Sequence, residues 1–173
     1  MEEYTNWIER GCPKDVAAET VKELWLVCCG LTELSSEIWK LENLEFVSIW
    51  GNQLQTLPDA ICELDNLQKL HINNNRIEKL PPDFILLNNL EVLRVGYNDL
   101  VELPENMGKM RKLKSIDISM NPRLTEFPYN FFSKEFEKEI HLTGTSITSL
   151  PSSNIVITGI GRRERSAEAE YYW

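Results

Sequence analysis

The sequence predicts an α/β solenoid, in which short strands stack into a parallel sheet on the concave face of an arc and a helical cap covers the first strand. Three observations predict this fold. A phrase of 23 residues recurs without a gap, its apolar residues alternate as they do in a half-buried strand, and an Asn and a Leu-Pro pair follow at fixed offsets. Units of this size bury their apolar edges only by stacking on one another.

Six copies of the phrase can be aligned. The third reads Leu67-x-x-Leu70-x-Ile72-x-x-Asn75-x-Ile77-x-x-Leu80-Pro81-x-x-Phe84-x-x-Leu87. The copies begin at Val21, Leu44, Leu67, Leu90, Leu113 and Glu137. The fifth copy carries Pro122 and one extra residue, and the sixth is degraded, with Thr145 at the Asn position. We expect a truncated last strand near 154–158, because Ile155-Val156-Ile157 comes too soon for a full seventh copy.

Each part of the phrase has a structural role. Two apolar side chains of each strand point into the core, while the residues between them point outward. The Asn side chain can satisfy main-chain groups of neighbouring repeats, so we expect a stacked ladder of Asn52, Asn75, Asn98 and Asn121. Cys29 occupies the Asn position of the first repeat and is expected to be buried. An apolar column should fill the core from the convex side, formed by Ile38, Ile61, Phe84, Met107 and Phe131.

The phrase resembles the signature of the leucine-rich repeat family, L-x-x-L-x-L-x-x-N/C-x-L, from Val21 to Pro151. The resemblance implies stacked strand-and-turn repeats that present a long surface of side chains and no enclosed pocket. The 23-residue variety with L-P-x-x-I is similar to intracellular Ras-suppressor-like and scaffold proteins and to repeat proteins of several bacteria. These relatives imply a cytoplasmic adaptor, or a bacterial effector that acts inside a host cell.

Three parts of the chain are expected. Residues 1–20, whose apolar side includes Trp7, should form the helical cap, and residues 21–159 should hold six repeats and the truncated strand. Residues 160–173 form a charged tail that is expected to be mobile. The tail ends in Tyr171-Tyr172-Trp173, either packed on the last repeat or available as a docking element. Because the chain starts with Met and its last repeat decays into this tail, we expect a complete small protein.

The charge balance and hydropathy of the chain exclude several classes of partner. The chain has 18 Lys and Arg against 27 Asp and Glu, a formal net charge of −9, which repels phosphate backbones, so nucleic acid is not expected as a partner. No apolar run approaches the roughly 18 residues of a membrane span, and no signal-like segment opens the chain. We therefore expect no membrane insertion and a cytoplasmic monomer, or one in the host cytosol if the protein is an exported effector.

No catalytic, metal or cofactor site is expected. His71 and His141 lie three strands apart, or about 14 Å at roughly 4.8 Å per strand, which is too far to share a metal ion. Cys28 lies about 10 Å from His71 by the same spacing, too far for the hydrogen bond between a nucleophile and its base. The adjacent Cys28 and Cys29 lack the C-x-x-C spacing of zinc and redox sites. The sequence therefore predicts a protein that is not an enzyme.

The outward strand positions carry the predicted binding surface. Trp, Tyr and Arg surrounded by polar residues are typical of interaction hot spots. The predicted binding residues are Trp25, Phe46, Trp50, His71, Arg94, Tyr97, Asp117 and Met120. In the alternative interpretation, the N-terminal cap folds over Trp25 and Phe46 and simply buries them.

Three functional hypotheses follow from this surface. The first is a non-catalytic module that binds a protein or peptide on its concave face. The second is a substrate-recruiting repeat domain of a larger enzyme such as a ubiquitin ligase, which a longer reading frame beyond Trp173 would favour. The third is extracellular pattern recognition, which is disfavoured because the chain lacks the cysteine-rich caps that secreted relatives usually carry.

Overall fold

The computed structural model describes residues 20–128, 130–132, 139–148 and 156–158, with the backbone alone at 36, 37 and 156–158. The predicted helical cap lies outside these residues except for Thr20, and the predicted tail lies outside them entirely.

Seven parallel strands form one sheet, in the order in which they occur along the chain. Each strand has three residues, because only the alternating part of each repeat is extended. The strands are β1 (Glu23–Trp25), β2 (Phe46–Ser48), β3 (Lys69–His71), β4 (Val92–Arg94), β5 (Ser115–Asp117), β6 (Glu139–His141) and β7 (Val156–Thr158).

The register of the sheet follows the period of the sequence. From β1 to β5 each residue pairs with the one 23 positions later, as Leu70 pairs with Leu93. The step from β5 to β6 is 24 positions, since Ser115 pairs with Glu139, so the expected extra residue of the fifth repeat is confirmed. The step from β6 to β7 is 17 positions, from Glu139 to Val156, and β7 lies within the range 154–158 expected for a truncated strand.

The opposite side of the core is built from 3-10 helices. They span Ser36–Lys40, Asp59–Glu63, Pro82–Leu86 and Met107–Lys109. No α-helix occurs among the described residues, so the helical part of the expected α/β class is corrected to 3-10 helix. A 23-residue repeat leaves only a few residues for this side, and one short tight turn of helix fits that length. The predicted convex column is confirmed, because Ile38, Ile61, Phe84, Met107 and Phe131 are all fully buried.

The predicted asparagine ladder is confirmed, and it joins each repeat to the one before it. Asn75 Nδ2 donates to the carbonyl oxygens of Ile72 in its own repeat and Ile49 in the preceding one, at 3.1 and 3.0 Å. Its Oδ1 accepts the N–H of Leu54 at 3.1 Å. Asn52, Asn98 and Asn121 make the equivalent bonds. Cys29 is only half-buried, which corrects its expected burial, because it belongs to the first repeat and no earlier repeat in the described part of the chain stacks on it.

The sixth repeat is attached to the fifth without an asparagine. The Thr145 hydroxyl donates to the carbonyl of Leu142 within the same repeat, 2.9 Å away. The Ser146 N–H donates to the Leu124 carbonyl at 2.9 Å, as the residue after the Asn does in the second to fourth repeats, and its hydroxyl adds a bond to the Pro122 carbonyl at 2.6 Å. The Ser146 hydroxyl thus supplies a side-chain bond from the sixth repeat to the main chain of the fifth.

Gly108 lies in close contact with the main chain of the fifth repeat. A Cβ atom at Gly108 would lie 1.8 Å from the carbonyl oxygen of Asn130, which is closer than any two such atoms can approach. Asn130 Nδ2 also donates to Asn106 Oδ1 at 3.0 Å. The fourth 3-10 helix and the fifth repeat therefore make direct backbone contact, and only glycine permits it.

Candidate functional site

The side of the sheet that faces away from the core is the candidate site, and we call it the open sheet face. In each repeat it comprises the residue before the strand, the first and third strand residues, and the second and third residues after the strand. The middle residue of each strand from β1 to β6 is buried in the core, as the period of two requires. Ser48 and Ser115 point to this face but are themselves buried, which corrects their expected exposure.

Three of the predicted residues form a continuous aromatic cluster. The ring centroid of Trp25 lies 4.5 Å from that of Phe46, and the centroid of Phe46 lies 5.1 Å from that of His71 in an edge-on contact. Ser48 pairs with Trp25 on one side and His71 on the other, which explains why such a small side chain is covered. Trp25 is nevertheless 60% exposed, so the described structure does not bury it.

The environment of His71 keeps its imidazole neutral. Burial, together with the nearby positive charges of Arg94 and Lys69, lowers the pKa of His71 to about 4. Arg94 is the direct neighbour of His71 in the sheet, and Lys69 lies two residues earlier on the same face. At neutral pH the cluster therefore presents a neutral ring beside two cations.

Trp50, Tyr97 and Met120 lie in the turns after the strands, not on the strands themselves. Trp50 is 40%, Tyr97 57% and Met120 42% exposed. Tyr97 and Met120 occupy the same position in neighbouring repeats, whereas Trp50 lies one position earlier in the second repeat. The sequence identified all three as outward residues, but it placed Trp50 and Tyr97 in strand positions because it could not locate the strand ends.

A column of left-handed residues runs through these turns and was not predicted from the sequence. It consists of Cys28, Gly51, Asn74, Tyr97, Met120 and Gly144, whose φ angles lie between 54° and 77°. Gly and Asn adopt this conformation readily, whereas Tyr and Met do so at a cost of roughly 1–2 kcal/mol. The Gly or Asn one residue before the Asn position in three of the six repeats was the signal for it. Two bulky exposed side chains, on Tyr97 and Met120, are thus held in a strained backbone conformation.

Ion pairs cross between neighbouring repeats along one edge of the open sheet face. Lys22 Nζ lies 2.6 Å from Glu45 Oε1, and Lys114 Nζ lies 2.7 Å from Glu91 Oε2. The hydrogen bond from Lys114 holds the pKa of Glu91 below its ordinary value. These pairs are solvent-exposed and add little to stability, but they neutralise two acids and two lysines of the face.

The other acids of this face also have partners. Asp117 Oδ1 accepts hydrogen bonds from the N–H and hydroxyl of Ser119, at 3.0 and 2.6 Å. The Trp25 indole donates to Glu23 Oε2 at 3.2 Å. Glu139 Oε1 lies 3.2 Å from His141 Nε2. Asp117 is thus the neighbour of Arg94 in the sheet register, but the two described side chains form no ion pair.

The described residues contain no arrangement for catalysis or metal binding that we can identify. No three His, Cys, Asp or Glu side chains among them converge on a common point. Burial, reinforced by nearby carboxylates of which Asp83 has the largest effect, raises the pKa of Cys62 to about 12, so its thiol stays protonated and unreactive. Nor does any helix in the described part of the chain have the length and apolar character needed to cross a bilayer.

Three-residue parallel strands, an asparagine ladder and a row of 3-10 helices define a repeat solenoid with one solvent-exposed sheet. The chain belongs to the leucine-rich repeat family, because the family model described as a leucine-rich repeat region matches residues 24–135. None of the curated proteins compared with the chain matches it.

Solved structures of bacterial repeat proteins are similar to this chain. A leucine-rich repeat protein of Leptospira interrogans is 31% identical, with a TM-score of 0.65, over 72% of this chain and 34% of its own. YopM from Yersinia enterocolitica is 21% identical, with a TM-score of 0.57, over 83% of this chain and 37% of its own. The leucine-rich repeat domain of the type III effector XopL is 19% identical, with a TM-score of 0.57, over 78% of this chain and 56% of its own. The last two likenesses show the fold alone, and this chain spans only part of each protein.

Proposed function

We propose that this protein is a non-catalytic interaction module that binds a protein or a peptide on its open sheet face, the concave face of the arc. One observation carries the proposal. Six large hydrophobic side chains of the described residues are exposed, and five of them lie on this face: Trp25, Val27, Trp50, Tyr97 and Met120. Such a concentration of exposed apolar surface on one side of a soluble protein is typical of an interaction site.

The strained backbone at Tyr97 and Met120 also favours the open sheet face as the binding surface. Tyr97 and Met120 occupy positions that Gly or Asn would fill with less strain, and both side chains are exposed, so their burial does not explain them. Backbone strain of this kind clusters at ligand contacts and other functional sites. We therefore include Tyr97 and Met120 with Trp25, Phe46 and Trp50 in the proposed contact surface.

The proposed setting is the cytoplasm, with the protein acting as a monomeric adaptor or, if exported, as an effector in host cytosol. The similarity to the repeat domain of XopL, described as a type III effector, favours the effector within this pair. The net charge of −9 argues against nucleic acid as the partner. We also propose that residues 1–20 form the N-terminal cap and that residues 160–173 form a separate tail.

A second candidate function is substrate recruitment for a larger enzyme. The observation that favours it is length, because this chain covers only 34% of the matched Leptospira protein and 56% of the XopL structure. In that case the open sheet face would bind the substrate and a further domain would carry the chemistry. A reading frame that continues beyond Trp173 into a catalytic domain would support this candidate over the free-standing module.

The proposed function can be tested by capturing partners from extracts of the source organism and of a candidate host. The wild type is compared with a Trp50→Ala, Tyr97→Ala double variant and with Leu86→Ala. Leu86 is the matched control. It is the remaining exposed large hydrophobic residue of the described part of the chain, and it ends the 3-10 helix Pro82–Leu86 on the opposite side of the core. We expect partners to be lost by the double variant, with binding weaker by about 2 kcal/mol or more, and retained by Leu86→Ala. Equal recovery by wild type and double variant would reject the proposed face.

A further inference from the structure

The acids of the open sheet face all have hydrogen-bond or ion-pair partners, whereas two of its basic residues have none among the described residues. This difference indicates what the face can bind. Every described acid on it has an intramolecular partner: Glu23, Glu45, Glu91, Asp117 and Glu139. Two lysines, Lys22 and Lys114, are neutralised in the same way. Neither Lys69 nor Arg94 forms an ion pair or side-chain hydrogen bond with any other described residue. The net charge of the chain is −9, yet these two cations at the centre of the face make no ion pair with described residues, and Glu91, which is held by Lys114, interacts with Lys69 only through space.

The two cations lie close together in the middle of the sheet. Arg94 on β4 is the register partner of His71 on β3, and Lys69 is two residues before His71 on the same face. Adjacent strands are about 4.8 Å apart and alternate residues about 6.6 Å apart, so one carboxylate between Lys69 and Arg94 lies within reach of both side chains. The neutral ring of His71 between them offers one further N–H donor.

Apolar side chains flank this pair on both sides. Phe46 is the register partner of Lys69 and holds the ring of His71 edge-on, with centroids 5.1 Å apart. Tyr97 follows Arg94 by three residues and is exposed in the turn. Asp117, the neighbour of Arg94 on β5, forms its hydrogen bonds with Ser119 and makes no ion pair with the guanidinium. The arrangement is therefore a pair of cations set between aromatic surfaces.

We propose that Lys69 and Arg94 together receive the carboxylate of an acidic residue in a peptide segment of the partner, whose adjacent apolar side chains contact Phe46 and Tyr97. This proposal rests on the proposed function and specifies the chemistry of the partner. Arg binds carboxylates through two parallel N–H bonds, and Lys adds a point charge, so the pair selects an acid over its neutral amide. Phe46 lies on β2 and Tyr97 follows β4, about 10 Å away at two strand spacings, so a short extended segment that contacts both would cross the strands.

The probe is a random peptide library displayed on phage and selected on the immobilised full chain. Six strands at about 4.8 Å span roughly 24 Å, which an extended peptide of about eight residues covers. The wild type is compared with a Lys69→Gln, Arg94→Gln variant. The matched control is Lys109→Gln, Arg111→Gln, which removes the same two residue types from exposed positions in and just after the fourth 3-10 helix. Unchanged circular dichroism and unfolding midpoint establish that each variant is folded.

We expect the wild type and the control to select peptides with an Asp or Glu next to aromatic or aliphatic residues, and the Lys69, Arg94 variant to lose that acidic preference. The strongest acidic peptide and its amide analogue, with Asn for Asp or Gln for Glu, are then titrated. The variant should bind the acidic peptide about tenfold more weakly or worse, as charge-assisted bonds predict, and the amide analogue less than about twofold more weakly.

Two outcomes would overturn the inference and remain distinguishable from failure of the proposed function. If the wild type selects neutral or basic peptides, or if the Lys69, Arg94 variant retains the acidic preference, the carboxylate assignment is wrong. Loss of those same peptides by the Trp50→Ala, Tyr97→Ala variant would then still support the open sheet face. If the wild type selects no peptide above the bare support, both the inference and peptide binding on this face fail.

Discussion

The side-chain amide of Asn75 donates a 3.0 Å hydrogen bond to the main-chain carbonyl of Ile49, which belongs to the preceding repeat. Both groups are buried, so water cannot replace either partner. The same contact recurs between Asn98 and Ile72 and between Asn121 and Val95. Each repeat is thus fixed to its neighbour by one polar side chain in addition to the apolar core.

We predict that Asn75→Ala lowers the free energy of unfolding by about 1–3 kcal/mol, because the Ile49 and Ile72 carbonyls and the Leu54 N–H lose a buried partner. Chemical denaturation measures the change. Asn66→Ala is the control, since Asn66 is exposed and makes a single 3.0 Å bond to the Glu42 carbonyl. The control should lose clearly less stability than Asn75→Ala. Equal losses in the two variants would mean that burial of the ladder adds nothing.

We predict that Gly108→Ala destabilises the protein by about 1–3 kcal/mol or more, because the new methyl group must displace the backbone of Asn130. The Cβ atom would lie 1.8 Å from a carbonyl oxygen, which rotamer changes cannot relieve. Thermal unfolding of Gly108→Ala should show a lower midpoint than that of Lys109→Ala, an exposed position in the same 3-10 helix. If the two variants melt together, the fifth repeat does not pack against Gly108 as described.

We predict that Tyr97→Asn stabilises the protein by about 1 kcal/mol, since Asn tolerates the left-handed conformation better than Tyr. Tyr97 is 57% exposed, so little buried area is lost. The reciprocal change, Asn74→Tyr at the same position of the preceding repeat, should destabilise by a similar amount. Partner binding by Tyr97→Asn should weaken at the same time. If Tyr97→Asn were less stable than the wild type and bound the partner equally well, then Tyr97 would neither strain the backbone nor contribute to binding.

We predict that His71 makes stability fall as the pH is lowered from about 6.5 to about 4. The pKa of His71 is lowered to about 4 in the folded protein, from a usual value near 6.5, so in this window the unfolded chain binds a proton that the folded chain does not. The stability that the neutral His71 ring contributes is fully present above the pKa of His71 in the unfolded chain. It is lost as the pH falls through the pKa of His71 in the folded protein. We expect a loss of about 1–2 kcal/mol, after allowance for the partial exposure of the ring.

The control for the His71 prediction is His71→Gln, which keeps a polar side chain but cannot titrate. Denaturation curves for wild type and variant at about pH 7 and about pH 4.5 give the difference in pH dependence that belongs to this ring alone. The variant should lose less stability than the wild type over the same interval. Parallel losses would assign the acid sensitivity to other groups, such as Glu91, whose pKa is held below its ordinary value by the hydrogen bond from Lys114.

The sequence by itself determined the repeat, the sheet register and the core. The 23-residue period fixes which residues pair across strands, and the extra residue of the fifth repeat reappears as the 24-position step from Ser115 to Glu139. The asparagine ladder and the convex column of Ile61, Phe84 and their equivalents follow from the same pattern. These features are predictable because every repeat solves the same packing problem with residues at the same offsets.

Only the tertiary structure decided the conformation of the turns and the balance of charges on the open sheet face. The left-handed residues Tyr97 and Met120 each donate an N–H to a carbonyl of the next repeat, and their own residue types gave no sign of this conformation. The structure shows Asp117 turned to Ser119 and Lys114 joined to Glu91, while Arg94 and Lys69 have no such partner among the described residues. Which charges cancel depends on side-chain distances of a few ångströms, and these exist only once neighbouring repeats are stacked.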